Sequence, residues 1–208
     1  MIDIIIPSVT TQNERLRDVI MSISRYTKDY NIIPIVSDES CSVNINNGIK
    51  KSTTEYISLI DNDIVLCRDW LLHMSMVLDK YKDIGLVSAK IVNMKGMPYN
   101  DVYINSPDNM ISEVYTIGGT CVLYRKSIGI MMDEKYKGGW WNDTHFACDI
   151  FNKGYKIVVD GYVHVKHNCS FTNAYKSAYN NERYFYKKFP DMIREKRITV
   201  IKSWEMVK

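Results

Sequence analysis

YISLIDNDIVL, residues 56–66, decides the fold. Tyr56 to Ile60 is an apolar run that ends abruptly at Asp61-Asn62-Asp63, and apolar character resumes at Ile64. A strand buried on both faces reads as such a continuous run, which is the habit of parallel sheets covered by helices. Sheets of that kind bind ligands at the carboxyl ends of their strands, where this acidic pair falls. Two carboxylates at i and i+2 can converge on one hard divalent cation, whose remaining positions take diphosphate oxygens. The cation then neutralises the charge released on a departing diphosphate, help worth several kcal/mol. The plainer reading is a turn, or an acid capping the next helix. Position at the end of a buried strand favours the metal.

The surrounding sequence agrees with a parallel sheet. Ile2 to Pro7 is a second apolar run, followed by Leu16, Val19, Ile20 and Ile23 at helical spacing. Ile32 to Val36 is β-branched and closes on Ser37-Asp38-Glu39-Ser40; a helix is expected over residues 44–51. After the acidic pair, Leu71, Met74, Leu78 and Tyr81 mark a helix, and Gly85 to Ala89 a strand. Strand and helix in alternation predict an α/β, Rossmann-like domain with a central, mostly parallel sheet flanked by helices. Neither a G-x-G-x-x-G after the first strand nor a G-x-x-x-x-G-K-S/T occurs, so phosphates must be held another way.

Composition bounds the rest. With 208 residues, 46% of them hydrophobic, the chain can bury one good core. The net charge of +3 implies no polyanion partner by itself. From Phe171 onward nine Lys/Arg face four Asp/Glu, net +5, which leaves residues 1–170 at net −2. The five cysteines include no CxxC pair, which predicts reduced thiols and a cytoplasmic location. No stretch has the length of a membrane span or the pattern of a signal peptide, so the sequons at Asn142 and Asn168 are expected to be incidental.

The ordered series IDIIIPSVTTQNERL, IIPIVSDES, NINNGIKKSTTEYISLIDNDI and GGWWNDTHFACDIFNKGYKIVVDGYVHVKH resembles the family 2 nucleotide-sugar glycosyltransferases, which have the A-type (GT-A) fold. The resemblance implies a metal-dependent transferase moving a sugar from a nucleoside diphosphate sugar, expected to be a UDP-sugar, with Mn2+ or Mg2+ as the ion. It implies that Asp38, with the loop from Pro7 to Thr10, receives the nucleoside. It implies that Asp61 and Asp63 hold the metal and the donor's ribose and diphosphate, Asp63 more directly, and that His167 completes the metal site. Asp143 matches the catalytic base, with inversion at the anomeric carbon. Asn142 stands where the family has a glutamate that helps bind the acceptor.

The residues themselves support these roles unequally. Asp143 begins a helix whose apolar positions are Phe146, Ile150 and Phe151 and whose end is marked by Gly154; capping by Asp143 or Asn142 is the alternative. Trp140 and Trp141 are read as an aromatic wall for a sugar face, with Gly118 and Gly119 small enough for a sugar to approach. Alternation from Tyr162 to His167 points His164 and His167 to opposite faces, and His167 is favoured. Arg125 is open to a structural reading. Residues 93–116 read as a long loop where the acceptor is selected. The expected division is 1–92 for nucleotide, 93–170 for acceptor, and 171–208 as a helical extension rich in Lys, Arg and aromatics (Tyr175, Lys176, Tyr179, Arg183, Tyr184, Phe185, Tyr186, Lys187, Lys188) that packs on the domain. A saccharide or lipid-linked acceptor leads; a nucleobase in DNA, a protein acceptor, or an inactive sugar- or nucleic-acid-binding module are the alternatives.

Overall fold

In a computed structural model the structure describes residues 1–93, 101–168 and 175–206, of which Asp101, Tyr175, Lys176 and Arg194 are described in backbone but not side chain. Expectations placed on residues 94–100, on Phe171 and on the side chains of Tyr175 and Lys176 lie outside the described residues.

The first half follows the alternation read from the sequence. Strand β1 (Ile2–Ser8) buries Ile4, Ile5 and Ile6 completely and is followed by α1 (Asn13–Tyr26), which buries Val19 and Ile23. Next come β2 (Tyr30–Val36), α2 (Cys41–Lys51) and β3 (Tyr56–Ile60). Ser40 starts α2 by accepting a hydrogen bond from the Val43 amide, an ordinary N-cap. Gly48 lets that helix lie flush on the sheet, because a Cβ there would come within 2.4 Å of the Ile5 side chain. The short β4 (Ile64–Val65), α3 (Trp70–Lys80) and β5 (Ile84–Ile91) complete this half.

The sheet is ordered β2-β1-β3-β7-β5-β8-β6-β9, with β7 (Cys121–Arg125), β8 (Lys156–His167), β6 (Ile111–Val114) and β9 (Val200–Trp204) supplied by the second half. Strands β2, β1 and β3 are parallel, as are β5 and β8. Strand β7 runs against both β3 and β5. This places the carboxyl end of β3, carrying Asp61, next to the start of β7, carrying Thr120.

Two expectations are corrected. Residues 93–116 are not one long loop: they contain α4 (Asp101–Asn105) and β6, whose four residues are all buried. Ser112 and Glu113 hide that strand in the sequence, and the Glu113 charge is met by Lys202 of β9 at 3.3 Å. The C-terminal extension is not wholly helical either. After α6 (Tyr175–Lys188) and α7 (Arg194–Ile198) it returns to the sheet as β9, the edge strand beside β6. The helical packing itself is as expected: Phe185 is fully buried in a second apolar cluster with Tyr136, Trp141, Cys148 and Met192 against α5 (Asn142–Asn152). Arg125 has the structural role, donating to carbonyls of Ile84 and Leu78 and to the Tyr56 hydroxyl. The four described cysteines are free, and no helix among the described residues is long and apolar enough to cross a membrane.

Candidate active site

Asp61 and Asp63 flank the turn between β3 and β4, and the strand pairing that follows brings His167 to them. Strand β4 pairs antiparallel with the end of β8, setting Ile64 opposite His167. Asn93 grips the backbone of His167 on both sides, accepting from its amide at 2.8 Å and donating to its carbonyl at 3.1 Å. The His167 Nε2 then lies 2.9 Å from Asp63 Oδ1 and 3.5 Å from Asp61 Oδ2. His164 faces elsewhere, with Nε2 at 3.1 Å from both the Gly161 carbonyl and Asp108. The opposite faces read from strand alternation are thus realised, and His167 is the histidine at the acids.

Asn62, the middle residue of the acidic tripeptide, is buried and donates to Ser8 Oγ and Gln12 Oε1, tying the turn to the loop after β1. Arg15 of α1 stands 3.6 Å from Asp63. On the other side the Asp61 amide donates to the Thr120 carbonyl, and Thr120 Oγ1 lies 3.4 Å from His167 Nδ1. Burial pushes the Asp61 carboxyl up to about 6; His167 opposes that, while Asp63 and Asp143 add to it. Asp61 still shows 38% of its side chain to solvent, so water in the cleft tempers that rise.

The donor set fits a hard divalent cation. Three ligand atoms, two carboxylate oxygens and one imidazole nitrogen, lie within 4.8 Å of one another. Asp61, Asp63 and His167 would be the residues to hold such an ion, the His167 Nε2 already lying 2.9 and 3.5 Å from the two carboxylates. Thr120 beside the far ring nitrogen can fix the histidine tautomer. Of the three ligand residues, Asp63 also lines a groove of about 630 Å3 that runs from it and Asn62 along α1 past Arg15, Met21 and Arg25.

Asp143 occupies the N-terminus of α5, near enough to Asp61 for the two charges to repel. Its Oδ2 accepts from the Gly119 amide and its Oδ1 from the Thr144 amide, both at 2.7 Å, so the carboxylate is held in one orientation. Burial raises its pKa, and these backbone bonds partly offset the rise. Gly119 is needed at this contact, because a Cβ would lie 2.6 Å from that of Asp143. Gly118 borders the same carboxylate, and its carbonyl accepts from the Tyr103 hydroxyl at 2.9 Å.

The remaining expected residues are distributed as follows. Thr10 and Asp38 meet: the Thr10 hydroxyl donates to Asp38 at 2.8 Å and its amide at 3.2 Å, joining the exposed loops after β1 and β2. Pro7 lies in β1 opposite Ile35. Asn142 is buried against the Cys41 thiol, whose pKa burial pushes up to about 12, with Asp61 and Asp143 adding to the effect. The two tryptophans do not form a wall together. Trp141 is 3% exposed and packs on Phe185 and Tyr186 of α6, whereas Trp140 is half-buried at the edge of that cluster. Sequence reasoning missed Asn62, Thr120, Asn93, Arg15 and Tyr103. Asn62 and Thr120 were signalled by adjoining the motifs, but nothing local marks Asn93 or Tyr103.

A sheet with one antiparallel strand inserted beside the acidic turn, a helix-borne aspartate across the cleft and a late histidine at the acids define a glycosyltransferase of the A-type fold. The chain belongs to Glycosyl transferase family 2, whose sequence pattern it matches over residues 10–133. Solved structures agree in fold. TarS of S. aureus superposes with a TM-score of 0.65 at 15% identity, over 94% of this chain and 41% of that one. Residues 1–349 of TarS with UDP give 0.64 at 14% identity, over 94% and 68%. GalNAc-T7 with UDP, GalNAc and Mn2+ gives 0.68 at 10% identity, over 92% and 50%. The chain therefore spans less than half the length of the full TarS structure. No curated protein matches by sequence.

Proposed function

We propose that this chain transfers a sugar from a nucleoside diphosphate sugar to an acceptor hydroxyl, with a divalent ion held by Asp61, Asp63 and His167 and with Asp143 as the base. The observation that carries this reading is that Asp61, Asp63 and His167 bring their ligand atoms within 4.8 Å of one another while Asp143, from a third part of the chain, stands near enough to act on the Asp61 charge. UDP in two of the neighbouring structures, and Mn2+ in one of them, support a UDP-sugar and Mn2+ or Mg2+.

When bound, the ion would supply positive charge where the leaving diphosphate develops its negative charge. The chain's own groups do the rest. The Thr10–Asp38 pair and Pro7 border the nucleoside pocket. The Gly119 and Thr144 amides aim the Asp143 carboxylate, leaving it free to take the proton of an acceptor hydroxyl as that oxygen attacks the anomeric carbon. A carboxyl raised by burial is a better base near neutral pH, and a placed base contributes ~10²- to 10⁴-fold. Attack opposite the leaving group inverts the anomeric configuration. Gly118, Gly119, Asn142 and Trp140 line the acceptor side.

Two substitutions separate the roles. Wild type should bind UDP in an Mn2+-dependent way, detected as a rise in melting temperature, and Asp63→Asn should abolish the Mn2+ dependence. Asp143→Asn should keep that binding but lose the slow Mn2+-dependent release of UDP from a UDP-sugar. Absence of any shift with UDP and Mn2+ in wild type would refute the reading.

A further inference from the structure

Arg197, carried by α7 of the C-terminal extension, is a half-buried cation with no counter-charge among the described residues. Its Nε is inaccessible to water and has no hydrogen-bond partner, and among the described residues no carboxylate pairs with its guanidinium. Buried donors are almost always satisfied, and one that is not calls for an explanation. The guanidinium is held in place instead by stacking, 4.6 Å from the centre of the Trp141 ring and 5.8 Å from that of Tyr186.

That position adjoins the base. Arg197 and Ile198 line a notch of about 20 Å3 together with Val102, Thr116, Gly118 and Thr144. Such a volume admits one water-sized group, the size of a single anionic oxygen. Gly118 also borders Asp143, with an ideal Cβ only 3.7 Å from its Oδ2, and Thr144 donates its amide to Oδ1 of the same residue. The notch therefore lies beside Asp143 at the N-terminal end of α5, whose dipole favours an anion as well. Tying of α7 to α4 by the bond from Asn105 to the Ile198 carbonyl keeps Arg197 at this place.

We propose that Arg197 determines acceptor specificity by receiving an anionic group, phosphate or carboxylate, on a saccharide whose hydroxyl is presented to Asp143. This rests on Asp143 being the base, since that defines the acceptor side. A guanidinium whose plane is fixed over an indole can aim a charge-assisted bond at one oxygen of either group seated in the notch, which a freely rotating lysine ammonium does less well. The extension that carries Arg197 has net charge +5, which favours approach of an anionic saccharide.

The test is calorimetric titration of methyl phosphate into the full chain loaded with UDP and Mg2+, so that the donor's phosphate site is filled. Wild type should bind saturably, Arg197→Met at least tenfold more weakly, and Arg197→Lys in between, with UDP affinity unchanged in both. Acetate in place of methyl phosphate separates a carboxylated from a phosphorylated saccharide, the tighter probe naming the group. Failure of wild type to bind either probe, or equal binding by Arg197→Met, overturns the proposal. A single-stranded oligonucleotide bound more than a hundredfold tighter than methyl phosphate, and lost in Arg197→Met, overturns the saccharide assignment. If Arg197→Met does not fold, the Lys variant alone decides. If UDP and Mg2+ themselves fail to bind, the transferase reading fails, while methyl phosphate titrated into the metal-free chain still scores Arg197.

Discussion

Substituting Gly119 by alanine should disable the chemistry while leaving the metal and donor in place. The new methyl carbon would sit 2.6 Å from the Asp143 Cβ, against the 3.4 Å at which ordinary contacts begin, so Asp143 must retreat by about 0.8 Å. The bond from the Gly119 amide to Oδ2, now 2.7 Å, then stretches to roughly 3.5 Å and is lost as a hydrogen bond. Misplacement of a reacting group by about 1 Å costs ~10²-fold in rate, so kcat should fall by roughly 30- to 100-fold. Loss of an amide that stabilises the carboxylate also moves its pKa further up, so the activity that remains should require higher pH. The assay is Mn2+-dependent release of UDP from whichever UDP-sugar wild type hydrolyses fastest, with UDP affinity measured in parallel. Gly118→Ala is the internal control: its Cβ would meet nothing closer than 3.5 Å, so it should retain activity within a few-fold. Equal activity of Gly119→Ala and wild type, or loss of UDP affinity in that variant, would refute the assignment of Asp143 as an oriented base.

The metal-free protein should become more stable as pH falls from 7 to 5. Asp61 and Asp143 both have folded pKa values above their ordinary ones, Asp61 at about 6, so the folded state binds more protons in this window and stability is lost as pH rises through 6. Asp61→Asn should therefore be more stable than wild type at pH 7 without metal, by on the order of 1 kcal/mol once the cleft's water is allowed for, as read by urea unfolding; a destabilised variant would contradict the assignment. Metal affinity should run the other way, weakening up to tenfold per pH unit below about 6 as protons compete for Asp61, which a Mn2+ titration at pH 5, 6 and 7 measures. Trp141→Ala should cost about 3–5 kcal/mol of stability, because the ring fills a core rather than facing a sugar. A loss below 1 kcal/mol would return Trp141 to the cleft.

Much of the first half was legible because each element there is defined by its own pattern. Tyr56–Ile60 is the strand read from the apolar run, and Val19 and Ile23 face the core at helical spacing. The second half was less legible because its elements are stabilised by partners far along the chain. Ile111–Val114 contains Ser112 and Glu113 and looks like loop until Lys202 and Ser203 of β9 are beside it. Val200–Trp204 in turn looks like tail until β6 offers it an edge.

The sequence by itself determined the α/β class, the acidic turn at the end of a buried strand and the aspartate that opens a helix, since each follows from periodicity and end signals within about a dozen residues. Only the tertiary structure decided that His167 rather than His164 meets the acids, that Trp141 is buried while Trp140 stays at the edge, that Gly119 clamps Asp143, and that Arg197 comes to rest in a notch with Gly118 and Thr144. These facts join residues from 24 to more than 100 positions apart, and a one-dimensional pattern records which face of an element is buried, not which distant side chain will cover it.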